Sequence, residues 1–201
     1  MQKSFDFRNI LTDLEVLDET GRLAFGVCLF ERALSGFLQF QSETGSIGGG
    51  ELRAALAQCW STLETGVVPV NLFVSVAACE KVMPDSEDHS SAYTSAAIDA
   101  VNIACNLLTY IEQRDLVLVI ESVQSRRDTL YLFIQNAMDL DPPDEGFEER
   151  MANHPLLKEE LRLLHDDIAF LQAMQTQGLA AFVPTLDRVM RLDYRKLRLK
   201  L

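Results

Sequence analysis

Apolar residues recur along this chain at intervals of three and four, and strict alternation is nearly absent, so the pattern predicts helices throughout. A short helix is expected over residues 5–17. A second, capped by Asp18, carries Leu23, Phe25, Val27, Phe30 and Leu34 and ends near Thr44-Gly45, with Gly36 as a point of bending or interruption. After a glycine turn, residues 51–65 place Leu52, Leu56, Trp60 and Leu63 on one face, and Gly66 suits the C-terminal cap. A fourth helix is expected from a cap at Asn71 to Val82, stopped by Pro84.

The fifth helix, residues 93–114, is apolar nearly all round, the mark of a helix buried between others. One polar stripe remains on it: Ser95, Asp99, Asn102, Asn106 and Gln113. The sixth, residues 115–139, carries Leu116, Ile120, Val123, Leu130, Ile134 and Ala137 at alternating steps of four and three, a bundle seam that Arg127 interrupts. Pro142-Pro143 ends it. A short helix near residues 144–151 precedes a long one beginning at Asn153 and ending at Gly178, with Leu156, Leu157, Leu161, Leu164, Ile168, Leu171 and Met174 on one face and His165-Asp166-Asp167 on its wet face. A last helical stretch is expected at residues 184–192. The fold class is all-α: a single bundle of about seven helices over residues 1–192, followed by a basic C-terminal tail, residues 193–201.

Composition sharpens this picture. The chain has 201 residues, 48% apolar and 24% charged, enough to bury roughly 70% of its unfolded surface without disulfides or a structural metal. Net charge is −12, which repels phosphate backbones and anionic bilayers, so neither nucleic acid nor membrane is expected as a partner. The charge is uneven. Residues 188–201 sum to +5, leaving −17 on the rest. In the tail, Leu197, Leu199 and Leu201 alternate with Arg198 and Lys200, as in an arm that docks on the acidic body or on a second copy. The N-terminus lacks the apolar core of a signal peptide. The best candidate for a membrane span, residues 67–79, is short and broken by Pro69, Asn71 and Ser75. Cys28, Cys59, Cys79 and Cys105 form no C-x-x-C pair and read as buried, reduced thiols. These features predict a cytoplasmic protein.

Candidate chemistry is sparse. The glycine run before Glu51 lacks the Gly-Lys-Ser/Thr of a P-loop, and Glu51 puts a negative charge where phosphate would sit. The acidic loop at residues 85–91 does not follow the ligand spacing of an EF-hand. No Glu stands three residues before a histidine, as a di-iron bundle requires. No metal site and no cofactor are expected. The polar stripe is the informative feature. Asp99 is the one charged residue between Tyr93 and Tyr110, and a carboxylate there must face water or be paired. It pairs with a cation such as Arg127, or it floors a ligand pocket with Asn102 and Asn106.

Three stretches in order bear on ancestry: Phe25-Gly26-Val27-Cys28-Leu29-Phe30-Glu31-Arg32; Thr44-Gly45 with Arg53, Leu56, Trp60, Thr62 and Leu63; and Pro84 to Asp88 followed by Ala97-Ile98-Asp99-Ala100. Over residues 20–115 the chain resembles the YjaG-like family of bacterial proteins of unknown function. The resemblance implies an all-helical bacterial cytoplasmic protein and no activity. It marks Glu31, Arg32, Arg53, Asp88 and Asp99 as positions to test. Two functions follow. The first is a non-catalytic interaction or scaffold protein, a homodimer or a partner of another protein. The second is a small-ligand or metal-binding protein, or an enzyme, using Asp99 and Asn102 with Arg53 or Arg127.

Overall fold

Helix α2 (Glu19–Thr44) is the axis on which the rest is assembled. In the computed structural model, which describes residues 7–69, 74–139 and 145–175, it is one unbroken helix of 26 residues, about 39 Å long. Asp18 caps it, its carboxylate accepting from Gly21 N at 2.7 Å. Gly45, at φ 72°, ends it in the left-handed conformation that glycine adopts without strain. By length and composition α2 could cross a membrane, with a mean hydropathy of 1.3 over its best 18 residues, where only the 67–79 run had stood out. Yet 78% of that window is buried by the surrounding helices, as in a core helix.

The other described helices are α1 (Phe7–Glu15), α3 (Gly49–Thr65), α4 (Val76–Glu80), α5 (Thr94–Gln113), α6 (Leu116–Met138), α7 (Phe147–Asn153) and α8 (Pro155–Gln175). There are thus eight among the described residues, with no strand. Helix α5 lies along α2 and against α6, and α3, α6 and α8 also flank α2. Gly36 does not interrupt α2. It is where α5 comes closest, since a Cβ there would stand 2.8 Å from Ala96 Cβ.

Phe25, Phe30, Phe37 and Phe40 of α2 fill the main core with Ile103, Leu107 and Ile111 of α5. A smaller core, Leu130, Ile134, Phe147, Met151 and Leu157, fastens α7 between α6 and α8. The chain ends of the bundle are tied by Asp18 N donating to Gln175 Oε1 at 3.2 Å.

Three expectations differ, one of a boundary and two of a buried face. Helix α4 starts at a Ser75 cap, whose hydroxyl accepts from Ala78 N at 3.2 Å, and ends before Val82; Asn71 lies outside the described residues. The buried face of α6 is Val119, Ser122, Val123, Arg126, Thr129, Leu130, Phe133 and Ile134. The inward arginine is Arg126, and Arg127 stands to the side. On α8, Asp167 is not on the wet face but reaches a buried partner. The expected helix at 184–192, the Gly178 stop and the 193–201 tail lie outside the described residues.

Candidate binding site

Helices α5 and α6 run antiparallel across the short Arg114–Asp115 turn, which brings Asp99, in the second turn of α5, beside Thr129, just past the middle of α6. The Thr129 hydroxyl donates to Asp99 Oδ2, and Asn102, one turn along α5, also bonds the carboxylate. Burial dominates the Asp99 environment and pushes its pKa up to about 6, against the opposing bonds from Thr129 and Asn102 and the positive charge of Arg126.

Arg126 cannot neutralise Asp99 because it is committed elsewhere. Its Nε and Nη2 donate to Glu160 Oε2 of α8 at 3.2 and 3.0 Å. Arg32 of α2 binds the other oxygen of the same carboxylate, Nε to Oε1 at 3.2 Å, and gives Nη1 to Asp167 Oδ2 at 2.6 Å. Arg32 and Glu160 are each 2% exposed. Two cations and two anions balance inside the bundle, so Asp99 is the surplus charge. Burial alone would raise Glu160, but Arg126 and Arg32 together outweigh it and hold its carboxyl below the ordinary range. For Asp167 burial wins over Arg32 and the carboxyl is raised. The Cys28 thiol beside this network is pushed well up, mainly by burial, and is no nucleophile.

On the outer side of Thr129 lies a cleft of about 280 Å³ between the first turns of α5, the last turns of α6 and the loop before α5. Ile98, Leu132 and Phe133 form its apolar wall, and Ser86, Ser95, Thr129 and Asn136 supply polar groups. No lining residue is cationic. Acids adjoin its lining residues: Asp85, Glu87 and Asp88 neighbour Ser86 in the chain, and Ser91 Oγ donates to Glu43 at 2.7 Å, while Asp128, next to Thr129, is ion-paired with Arg127.

The stripe residues Asp99 and Asn102 thus meet, and the two arginines proposed beside them do not join them. Arg53 is exposed on α3, while Arg127 gives Nη2 to Asp128 at 2.6 Å. The cation that acts on Asp99 is Arg126. Of the other marked positions, Glu31 accepts from Trp60 Nε1 at 3.1 Å and Asp88 is exposed. Sequence reasoning missed Thr129, Arg126, Glu160 and Asp167. Glu160 was findable, since it falls three residues after Leu157 and four before Leu164, on the inward row of α8. Among the described residues no three His, Cys, Asp or Glu side chains gather as metal ligands do.

The raised Asp99 carboxyl has a testable sign. The unfolded chain ionises it near pH 4, the folded chain near 6, so folding takes up a proton between those values. Its contribution is full below pH 4, is lost as pH rises through 6, and is unfavourable above. Asp99→Asn keeps an acceptor for Thr129 and removes the surplus charge. It is expected to raise stability at pH 8 by roughly 1 kcal/mol, after discounting for partial exposure, and to leave it unchanged at pH 4. Denaturant titrations at both values check this; equal gains at both would refute a charge effect.

Residues 9–188 match the family described as "Protein of unknown function (DUF416)". A solved structure of a DUF416 family protein from Shewanella baltica OS155 is similar in fold, with a TM-score of 0.80 over 94% of each chain at 20% sequence identity. No curated protein matches the chain.

Proposed function

The chain belongs to the DUF416 family of proteins of unknown function, and from that premise we propose that it is a non-catalytic binding protein that takes a small organic cation in the α5–α6 cleft. The observation that carries this reading is a preformed cleft, apolar on one wall and hydroxyl-lined on the other, in anionic surroundings with no cationic lining residue. Its volume lies at the small end of ligand sites, which suits a short amine. An ammonium there gains from Asp99 behind Thr129, from the loop acids and from the face of Phe133. Binding is favoured over catalysis because the cleft lining holds no His, Cys, Lys or carboxylate side chain.

The test is thermal shift with putrescine, agmatine and tyramine against carboxylates of matching size. The amines are expected to raise the melting temperature at pH 8. Leu132→Arg, at a 45% exposed wall position, should abolish the shift while the fold persists. No shift with any amine, or an equal shift in the variant, would reject the cleft.

Self-association is the second reading, and the charge asymmetry favours it: a +5 terminal segment on a chain otherwise −17. A homodimer is then the working unit, in a protein whose YjaG-like resemblance implies a bacterial cytoplasmic setting. Deleting residues 193–201 should lower the mass seen by light scattering from two chains to one. An unchanged mass would remove the tail from assembly.

A further inference from the structure

Three of the hydroxyls that line the α5–α6 cleft give their protons to the protein. Ser91 Oγ donates to Glu43 Oε2 at 2.7 Å, Thr94 Oγ1 to the Ser91 carbonyl at 2.9 Å, and Thr129 Oγ1 to Asp99 Oδ2. A hydroxyl has one proton and two acceptor sites, so each of these has only lone pairs left to offer. Ser91 keeps one of them, since its Oγ also accepts from Tyr93 N at 3.1 Å. A ligand that bonds to these oxygens must bring N–H or O–H groups. A carboxylate would find no proton to take from any of the three.

Two of these hydroxyls lead to a carboxylate, and they belong to different walls. Glu43, in the last turn of α2, is bonded by Ser91 of the loop before α5. Asp99 of α5 is bonded by Thr129 of α6. The other partners of both carboxylates are neutral too: Glu43 accepts from the Gln39 amide at 3.1 Å, and Asp99 from Asn102, while Arg126 is held by Glu160. A hydroxyl that donates to an anion becomes a stronger acceptor for the next donor. The apolar wall of Ile98, Leu132 and Phe133 suits a methylene chain.

We infer that the cleft takes a linear diamine, with one ammonium at Thr129 in front of Asp99, the other at Ser91 in front of Glu43, and the methylenes on the apolar wall. This rests on the proposed binding of an organic cation in the cleft and narrows that cation to a dication. A monoamine fills one seat and leaves the other anion unmatched. The seats are unequal. Asp99 is half-buried, whereas Glu43 is exposed and its field is screened by water and salt. A single ammonium therefore prefers the Asp99 seat.

The experiment is isothermal titration calorimetry of the full chain at pH 8, where Asp99, raised by burial to about 6, is ionised. Putrescine and cadaverine are compared with butylamine and pentylamine. The diamines are expected to bind about tenfold more tightly, the gain from one further charge-assisted hydrogen bond. Glu43→Gln should bring the diamines down to the affinity of the monoamines and leave the monoamines nearly unchanged. Asp99→Asn should weaken both classes. Equal affinity of diamines and monoamines for the unmutated protein would overturn the inference and leave the cation reading standing. A diamine preference that survives in Glu43→Gln would overturn it as well. No binding by any of the four amines would remove the cation reading and this inference with it. The four amines on the unmutated protein decide the matter even if a variant does not fold.

Discussion

Glu160→Ala is expected to destabilise the protein by about 3–5 kcal/mol, the cost of removing one partner from a buried ion network, and to lower the melting temperature by roughly 10 °C. Both oxygens of Glu160 are engaged, Oε1 by Arg32 and Oε2 by Arg126. Alanine would leave two guanidiniums facing each other in a cavity, with only Asp167 to offset them. It would also cut the polar tie between α8 and the α2–α6 layer. Glu160→Gln keeps the shape and one acceptor and should lose less.

The pH dependence is specific. Glu160 is held below its ordinary range, so its contribution is present above pH 4–5 and lost as pH falls through the folded value. Wild type and Glu160→Gln should therefore converge in acid. Freed from Glu160, Arg126 becomes available to Asp99, whose carboxyl should drop back toward the ordinary range. Chemical denaturation from pH 3 to 8, with the Asp99 titration followed by NMR, measures both effects. A loss below 1 kcal/mol, or an unmoved Asp99, would show that the network does not couple these helices.

Gly36→Val is expected to cost about 3 kcal/mol, the upper part of the range for overpacking. Valine gains helix propensity over glycine at an interior helical position, so the sign is set by space. The nearest atom to an added Cβ is Ala96 Cβ at 2.8 Å, with the Ala96 backbone 3.8 Å away. A methyl on a helix cannot rotate aside, so α5 itself must shift, and α5 carries the wall of the cleft. Gly50 is the control. It is exposed in the first turn of α3 with nothing within 4 Å of an added Cβ, and Gly50→Ala should stabilise by about 0.5–1 kcal/mol. Urea titration of both variants gives the comparison; if Gly36→Val matched Gly50→Ala, the close approach of α2 and α5 would not matter for stability.

What could be read in one dimension was whatever depends on near neighbours in the chain. Asp18 and Gly45 bound α2 because capping acts through the adjacent backbone. The apolar girth of α5 announced its burial, and Asp99 stood out because it breaks that girth. Adjacent residues on a helix, by contrast, point about 100° apart, and nothing local favours an arginine facing inward. The choice of Arg126 over Arg127 for the interior of α6 therefore rests on Glu160, 34 residues away. Gly36 reads as a helix breaker until Ala96 is set against it. Asp167 reads as wet until Arg32 reaches it.

The all-helical class, most helix ends and the conspicuous carboxylate on α5 were legible along the chain, because periodicity and capping are set within a turn or two. Which charges are buried together, and that Asp99 is the unbalanced member beside a cleft, came from the packing of the helices. Those properties arise from pairings between residues as far apart as Arg32 and Asp167, and a charge has no fixed chemistry until its partner is in place.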